Sequence, residues 1–439
     1  MSSSYWISRS TVEATIPVVP KRTGLVRADG HAVRDDQGIH NYLGVTLFWA
    51  PYGMKHERDR ILKHLDWLQT KGVDYIRILC ECDWDGRSWS PAEWPDYQEI
   101  IAKTIDEAYD RGIRTQASLI GGQTADHMGV VNACIPVFKE RIEKILYIED
   151  VNEAARLDKA TREQMAKMTQ KLNAELPHLL GWSHPMGPWE EWSNEIKKSG
   201  GDLWILHTER DDADFHWRQV RQAYDFQAGA WTGSNQEGPG PQSSVDVMEE
   251  PLHLAMFRYL SHIMKCGFFT FHVGQGVTGK ADANHGRPEN MWEVPRIDEQ
   301  FAALHMIEQF IPEGVQNWKV INNGRSDHPL PLDPAVSESH HENKNAGFWE
   351  GNAKYGSVNK NYVSAHQDGR FVGVLTGVNA WDGNARTLVG VSRYHMSVSA
   401  YNPVTGALVD TRRLAPSEQW TLPGRSDKQV GYIVVGKKG

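Results

Sequence analysis

Between Tyr42 and Phe310 the chain repeats one pattern eight times: a short apolar run followed by a stretch with helical spacing. The predicted strands are Tyr42–Trp49, Val73–Leu79, Ile113–Ile120, Ile145–Val151, Leu179–Ser183, Leu203–His207, Gly229–Gly233 and Phe268–Val273. The first predicted helix, Glu57–Lys71, puts Ile61, Leu62, Leu65 and Leu68 on one face. Others are predicted over Tyr97–Arg111, Pro136–Lys144, Lys159–Leu176, Glu191–Lys198, Phe215–Phe226, Pro251–Lys265 and Glu299–Phe310. Gly72 and Gly112 stand where a glycine cap ends a helix. Strands that alternate with helices build a parallel sheet, and eight such units favour a closed barrel over an open sheet. An open doubly wound sheet would carry a glycine-rich loop after its first strand, and none follows Trp49. The predicted class is therefore α/β, with a (β/α)8 TIM barrel at its centre.

The flanks read differently. Residues 1–22 are an extended lead-in interrupted by Pro17 and Pro20. From Gly24 to Tyr42, the turn signals Asp29-Gly30 and Asp36-Gln37-Gly38 predict a small hairpin that caps the barrel base. Beyond Trp318, residues 322–360 are rich in Asn, Gly, Pro and His, as a connection would be. Short β-type runs follow, among them Arg370–Thr376 and Met396–Tyr401, with turns at Gly383-Asn384 and Pro403–Gly406 and no helical pattern. The expected organisation is an N-terminal segment (1–22), a barrel (23–318) and a smaller C-terminal β-sandwich with its connecting stretch (319–439).

Composition removes several function classes. A net charge of -9 lacks the basic footprint of a nucleic-acid binder. No run approaches the roughly 18 apolar residues of a membrane span. Met1 to Pro20 has no basic segment leading into an apolar core, so no secretory signal is expected. The expectation is a protein that works in the cytoplasm or leaves by a route that needs no signal, of which release of virions by lysis is one. Cys80, Cys82, Cys134 and Cys266 lack zinc-knuckle spacing and read as buried thiols. His340-His341 has no carboxylate or Cys spacing around it, and neither a metal nor a cofactor is expected. The 17 Trp are a high count; Trp is a core residue by default, but Trp84, Trp89, Trp94, Trp189 and Trp192 fall in predicted loops, where they could stack on sugar rings.

Two carboxylates stand at the ends of apolar runs. Asn152-Glu153 closes predicted strand four, and Glu237, in Ser234-Asn235-Gln236-Glu237-Gly238, follows predicted strand seven. In a barrel, both would meet at the C-terminal mouth, where two carboxyl groups can flank a glycosidic bond. Two plainer readings stay open. Glu149, Asp150 and Glu153 could form a solvated edge on one long helix from Phe138 to Arg156, and Glu237 could be an ordinary loop carboxylate.

These two motifs make residues 24–312 resemble the clan A retaining glycoside hydrolases, β/α barrels with an Asn-Glu pair after strand four and a second Glu after strand seven. The resemblance implies a carbohydrate substrate, no cofactor, Glu153 as acid/base and Glu237 as nucleophile. Arg77, in Tyr75-Ile76-Arg77-Ile78, matches the strand-two arginine that supports the nucleophile, and Asn152 would bind the sugar 2-OH. Further substrate contacts are expected from His207, Arg210, His272, Trp49, Trp84 and Trp231. The turn Tyr401–Gly406 resembles one in the β-sandwiches appended to some barrel hydrolases. The chain departs from the pattern at Ala154, where Pro is common, and at Gly121-Gly122, where strand three often ends in His.

The chemistry demands carboxyl groups about 5–5.5 Å apart for retention. Arg77 is expected to keep Glu237 ionised for attack, and the charge of Glu237 to keep a proton on Glu153 until the glycosyl-enzyme forms. Two alternatives accompany this expectation. One is a virion-associated glycan depolymerase that docks or oligomerises through residues 1–22. The other is a catalytically silent barrel that binds glycans or serves as a structural subunit.

Overall fold

The structure is a computed structural model. It describes residues 20–84, 86–123, 126–154, 159–184, 189–207, 232–238, 251–321, 332–334, 362–375, 386–392, 394–425 and 432–439. Eight parallel strands close a barrel: β1 (Tyr42–Thr46), β2 (Tyr75–Glu81), β3 (Arg114–Ile120), β4 (Ile145–Val151), β5 (Leu180–His184), β6 (Leu203–Leu206), β7 (Thr232–Gly238) and β8 (Cys266–Phe271), with β8 pairing back onto β1. Their helices include α1 (Ala50–His56), α2 (Arg58–Thr70), α3 (Tyr97–Asp110), α4 (His127–Lys139), α5 (Arg162–Glu175), α6 (Trp189–Ser199), α7 (Pro251–Ile263), α8 (Gly274–Thr278) and α9 (Ile297–Met306). Among the described residues no helix is long and apolar enough to cross a membrane.

Local chemistry explains the boundaries. Gly72 and Gly112, at φ of +63° and +79°, end α2 and α3 in the left-handed conformation that only glycine adopts without strain. Thr161 starts α5 with a capping box: its hydroxyl accepts from the Gln164 amide, and the Gln164 side chain accepts from the Thr161 amide. The helix expected over Pro136–Lys144 lies earlier. Asp126 accepts from the Gly129 amide as its cap, and Pro136 falls inside the helix instead of opening it. Strand seven is also displaced from its expected Gly229–Gly233, so that Glu237 lies within β7 and not in a loop beyond it. Asn152 and Glu153 follow β4 directly in a turn, which removes the long-helix alternative. The expected helix Phe215–Phe226 and the segment 1–19 lie outside the described residues.

Alternation along the strands layers the barrel interior. Tyr42, Tyr75, Tyr147 and Phe268 form an aromatic layer, fully buried, with Leu203 and Ile205. Tyr75 lies over Gly44, where a Cβ would come within 2.2 Å of the ring. Two residues further along each strand the layer turns polar: Arg77 on β2, Ser118 on β3 and Glu149 on β4, in register through Arg77↔Gln116 and Ser118↔Glu149. The base is capped by a three-stranded meander, Arg27–Asp29, Ala32–Asp35 and Gly38–Ile39, turning at Gly30 and Gly38 as expected, with Val33 in the aromatic cluster.

C-terminal to the barrel come β9 (Lys319–Ile321), β10 (Leu332–Pro334), β11 (Tyr362–Ala365), β12 (Arg370–Leu375), β13 (Arg386–Ser392), β14 (Met396–Tyr401), β15 (Leu408–Leu414), β16 (Gln419–Arg425) and β17 (Tyr432–Lys438). They form a six-stranded antiparallel sheet, β9-β11-β12-β17-β14-β15, and a three-stranded one, β10-β13-β16. The larger sheet buries both faces. Val363, Phe371, Tyr432 and Val434 meet Trp420 and Leu422 of the smaller sheet, while Val372, Val374 and Ile433 alternate with them and join the barrel core. Ser364 donates to the Ile263 carbonyl at 2.6 Å, and Phe310 stacks on Tyr401 with centroids 4.8 Å apart. The four cysteines are free and buried, as expected.

Candidate active site

Arg77 organises the mouth. Its side chain is fully buried and projects from the middle of β2, where the run Tyr75-Ile76-Arg77-Ile78-Leu79 gives it no route to solvent. A buried guanidinium must find anions. Nη1 donates to Glu237 Oε1 at 2.8 Å, and Nη2 donates to Glu149 Oε2 at 2.9 Å and to Asn152 Oδ1 at 2.6 Å. Nε donates to Ser118 Oγ at 3.3 Å, and Ser118 in turn donates to Glu149. Burial works against the charge on Arg77, but Glu149 and Glu237 outweigh it and raise its pKa. Burial likewise pushes the Glu149 carboxyl up, and Arg77, His207 and the Ser118 hydroxyl more than reverse this, so Glu149 is held ionised below the usual carboxylate range.

Glu153 is positioned by backbone. Its φ is +52°, a left-handed conformation uncommon for a residue with a side chain. Ser183 of β5 fastens the turn: its hydroxyl accepts from the Glu153 amide at 2.9 Å and donates to the Val151 carbonyl at 3.1 Å. Such strain is characteristic of functional sites. On β7 the register with β8 shifts between Asn235 and Gly238, a bulge that re-aims successive side chains. Asn235 turns outward to Ser261, Gln236 reaches Tyr147 and His207, and Glu237 reaches Arg77.

His207, just past β6, stands between the carboxylates. Its Nδ1 is 3.7 Å from Glu153 Oε1 and 3.5 Å from Glu237 Oε1, and its Nε2 is 3.1 Å from Gln236 Oε1. Burial disfavours its charge, but Glu237 and Glu153 prevail and raise its pKa despite Arg77. One donor atom from each of Glu153, His207 and Glu237 lies within 4.8 Å of the other two, so the carboxylates face each other and the three could also hold a cation.

Of the expected site residues, the structure brings together Glu153, Glu237, Arg77, Asn152 and His207. His272 lies beside them, its Nδ1 2.8 Å from Thr46 Oγ1 and its ring 6.0 Å from Phe48. Trp84 is half-buried, 6.2 Å from Phe48 on one side and with Lys159 Nζ 5.1 Å from its ring centroid. Trp49 is placed elsewhere. The strand ends at Thr46, and the Trp49 ring is buried between the Arg60 and Arg87 guanidinium groups at 4.7 and 5.3 Å, against Gly53 and Gly279. Trp89 and Trp94 are likewise core residues, packed 6.3 Å apart beneath their loop, which corrects the expectation of sugar stacking there. Arg210 and Trp231 lie outside the described residues, as do His340-His341 and the side chains of Trp189 and Trp192.

Four side chains escaped the sequence reading of the site. Glu149 lies within β4, two residues from inward-facing Tyr147 and next to Asp150, and nothing in the sequence set it apart from its neighbour. Gln236 adjoins Glu237 and carried no signal of its own. Phe48 supports the Arg77 guanidinium face at 4.7 Å. Lys159 is buried, donates to the Gly121 carbonyl, and has its pKa lowered by burial against the pull of Glu153. The glycines at the end of β3 also gain a reason. Glu81 and Asp83 accept from the Gly122 and Gln123 amides at 2.9 and 3.0 Å, and a Cβ on Gly122 would come within 2.8 Å of both carboxylates.

Neither protein-family models nor curated protein sequences give a match to this chain. Solved structures do match. A glycoside hydrolase family 5 protein from Bacteroides vulgatus superposes with a TM-score of 0.63 at 11% identity, covering 95% of this chain and 93% of that one. A second structure, described as a glycoside hydrolase, gives 0.58 at 11% identity, covering 95% and 97%. The alpha-amylase of Geobacillus thermoleovorans, complexed with acarbose, gives 0.50 at 8%, covering 86% and 91%. The architecture, barrel and appended β sheets together, is one found in barrel glycoside hydrolases.

Proposed function

We propose that the protein is a retaining glycoside hydrolase acting on an oligo- or polysaccharide. The observation that carries this reading is that one carboxylate oxygen of Glu153 lies within 4.8 Å of one of Glu237 across the barrel mouth. That spacing suits direct attack by a carboxylate, where inversion through a water needs about 6.5–9.5 Å. Glu237, paired with Arg77, attacks the anomeric carbon. Glu153 gives its proton to the glycosidic oxygen, the leaving sugar departs, and a glycosyl ester forms on Glu237. Glu153 then takes a proton from water, the resulting hydroxide attacks the same carbon, and Glu237 is released as carboxylate. Asn152, whose Oδ1 accepts from Arg77, turns its amide NH2 to donate to the sugar 2-OH oxygen in this reading. Trp84, half-buried and backed by Phe48, offers an apolar surface for a sugar ring.

The test is product stereochemistry by proton NMR, together with the variants Glu153→Gln and Glu237→Gln. Retention of the anomeric configuration, loss of turnover in Glu237→Gln, and recovery of Glu153→Gln by azide as a glycosyl azide are the expected results. Inversion would sink the double displacement, and undiminished activity in either variant would sink the assignment of these carboxylates.

A further inference from the structure

His207 gives the mouth a second capacity. Its side chain is 4% exposed, and its Nδ1 points between Glu153 and Glu237 without a hydrogen-bond partner. Its other ring nitrogen faces Gln236 Oε1 at 3.1 Å, and the Gln236 amide is oriented in turn by donating to the Tyr147 hydroxyl at 3.2 Å. An imidazole that gives one N–H to an amide oxygen is oriented as metal-binding histidines are, and an ion that displaces the proton the carboxylates favour on the second nitrogen takes up its lone pair. Arg77 Nη2 is 3.4 Å from the same Nε2, but it is engaged at shorter range by Glu149 and Asn152.

Donor spacing agrees with that role. A tetrahedral zinc ion with bonds of about 2.0–2.1 Å separates its ligand atoms by about 3.4 Å. The His207–Glu237 and His207–Glu153 edges measure 3.5 and 3.7 Å. The third edge, within 4.8 Å, closes by rotation of Glu153, the partly exposed member of the three. Local charge also favours a cation: the carboxylates of Glu149, Glu153 and Glu237 outnumber the cations Arg77 and Lys159.

We propose that Glu153, His207 and Glu237 form a binding site for one zinc-class divalent cation, open to solvent on its fourth side, and that an ion held there excludes carbohydrate from the same space. The proposal uses the side chains of the hydrolase reading without depending on it, because binding is measured without turnover.

The experiment titrates ZnCl2 into the full chain in a non-coordinating buffer by calorimetry, with Co2+ absorption reporting coordination geometry and circular dichroism reporting folding. One ion per chain is expected, with a tetrahedral Co2+ spectrum. Gln236→Leu should weaken binding by about 10- to 100-fold, the range for an outer-shell partner, and His207→Ala or Glu153→Gln by more than that. Absence of binding up to about 1 mM, a strength of roughly 4 kcal/mol, would overturn the site. Equal affinity in wild type and all three folded variants would place the ion elsewhere and overturn it too. If a substrate is turned over, hydrolysis unaffected at site-saturating Zn2+ would overturn the exclusion alone. A protein that hydrolyses no glycoside yet binds zinc through these residues would refute the hydrolase reading and leave this one standing.

Discussion

The barrel buries an arginine near each end, and the two ends treat their arginines differently. At the base, Arg114 starts β3, donating to the Gly24 carbonyl at 2.8 Å, with Asp35 3.4 Å away. Asp35 is enclosed by donors: Arg22 at 2.6 and 2.7 Å, the Tyr42 hydroxyl at 2.8 Å and the Gln37 amide at 2.9 Å. Burial pushes that carboxyl up, and Arg22 and Tyr42 bring it below its usual value. One carboxylate is shared by two cations, tying the N-terminal meander to the barrel. At the mouth the ratio inverts: one guanidinium serves Glu149, Glu237 and Asn152, and a histidine is drawn toward its charged form by Glu237 and Glu153. Surplus cation around an enclosed anion suits a fastening. Surplus anion around too few cations costs stability and suits carboxylates that carry chemistry.

The largest expected effect comes from giving both ends the same substitution. Glu237→Gln should reduce turnover below detection while leaving the melting temperature within a few degrees. Asp35→Asn should leave kcat per folded molecule unchanged but strand Arg22 and Arg114, a loss of about 3–5 kcal/mol. Calorimetric melts and assays on the same preparations decide it, and loss of stability without loss of rate at Glu237 would erase the contrast. Next comes Glu153→Gln, expected to slow substrates with poor leaving groups by about 10²- to 10⁴-fold, the usual share of general acid–base catalysis. Activated aryl glycosides, which need less protonation, should be spared in their first step.

Glu149→Gln sharpens the comparison further, because it changes how Arg77 divides its charge while removing nothing that touches substrate. With one fewer anion nearby, Arg77 supports Glu237 more fully and both limbs of the pH–rate profile should move to lower pH, by about one unit. A structural role alone would lower stability and leave the profile where it was.

The difference between the two ends also governs what could be read from sequence. β2, β4 and β8 were legible because their outward residues are mostly apolar, Ile76, Ile78 and Cys80 on β2, Leu146 and Ile148 beside Asp150 on β4, and Phe269 and Phe271 on β8, and the glycine caps fixed where α2 and α3 stop. β7 was misplaced because Thr232-Gly233-Ser234-Asn235-Gln236-Glu237-Gly238 is almost wholly polar, yet every residue is buried. Ser234, Asn235, Gln236 and Glu237 find hydrogen-bond partners in Tyr147, Ser261, His207 and Arg77, residues that are distant in sequence. Hydropathy instead favoured Gly229–Gly233. The tryptophans misled for the opposite reason: loop position suggested solvent, but Trp89 and Trp94 fold inward while Trp84 alone of the three stays half-buried. Glu153 and Glu237 were legible as carboxylates at strand ends, whereas Glu149 was not, since its role exists only through Arg77.

The smallest effect separates a buried carboxylate that has a cation from one that has none. Asp150 follows Glu149 on β4 but faces outward, where the Trp182 indole donates to it at 3.0 Å and the Thr169 hydroxyl also donates. Burial raises its pKa to about 7, with those two hydrogen bonds opposing and the charge of Glu149 adding to the rise. The folded chain therefore holds a proton between about pH 4 and 7 that the unfolded chain has released. Stability from this group is fully present below about pH 4 and is lost as pH rises toward 7, after which the deficit is constant. Asp150→Asn cannot ionise and can still accept both hydrogen bonds. It should gain on the wild type across that window, by on the order of 1–3 kcal/mol at pH 8. Urea melts at pH 5 and pH 8 measure the difference; a gain independent of pH would mean that Asp150 is ionised in the fold, and that burial without a cation does not by itself set apart the two kinds of carboxylate in this barrel.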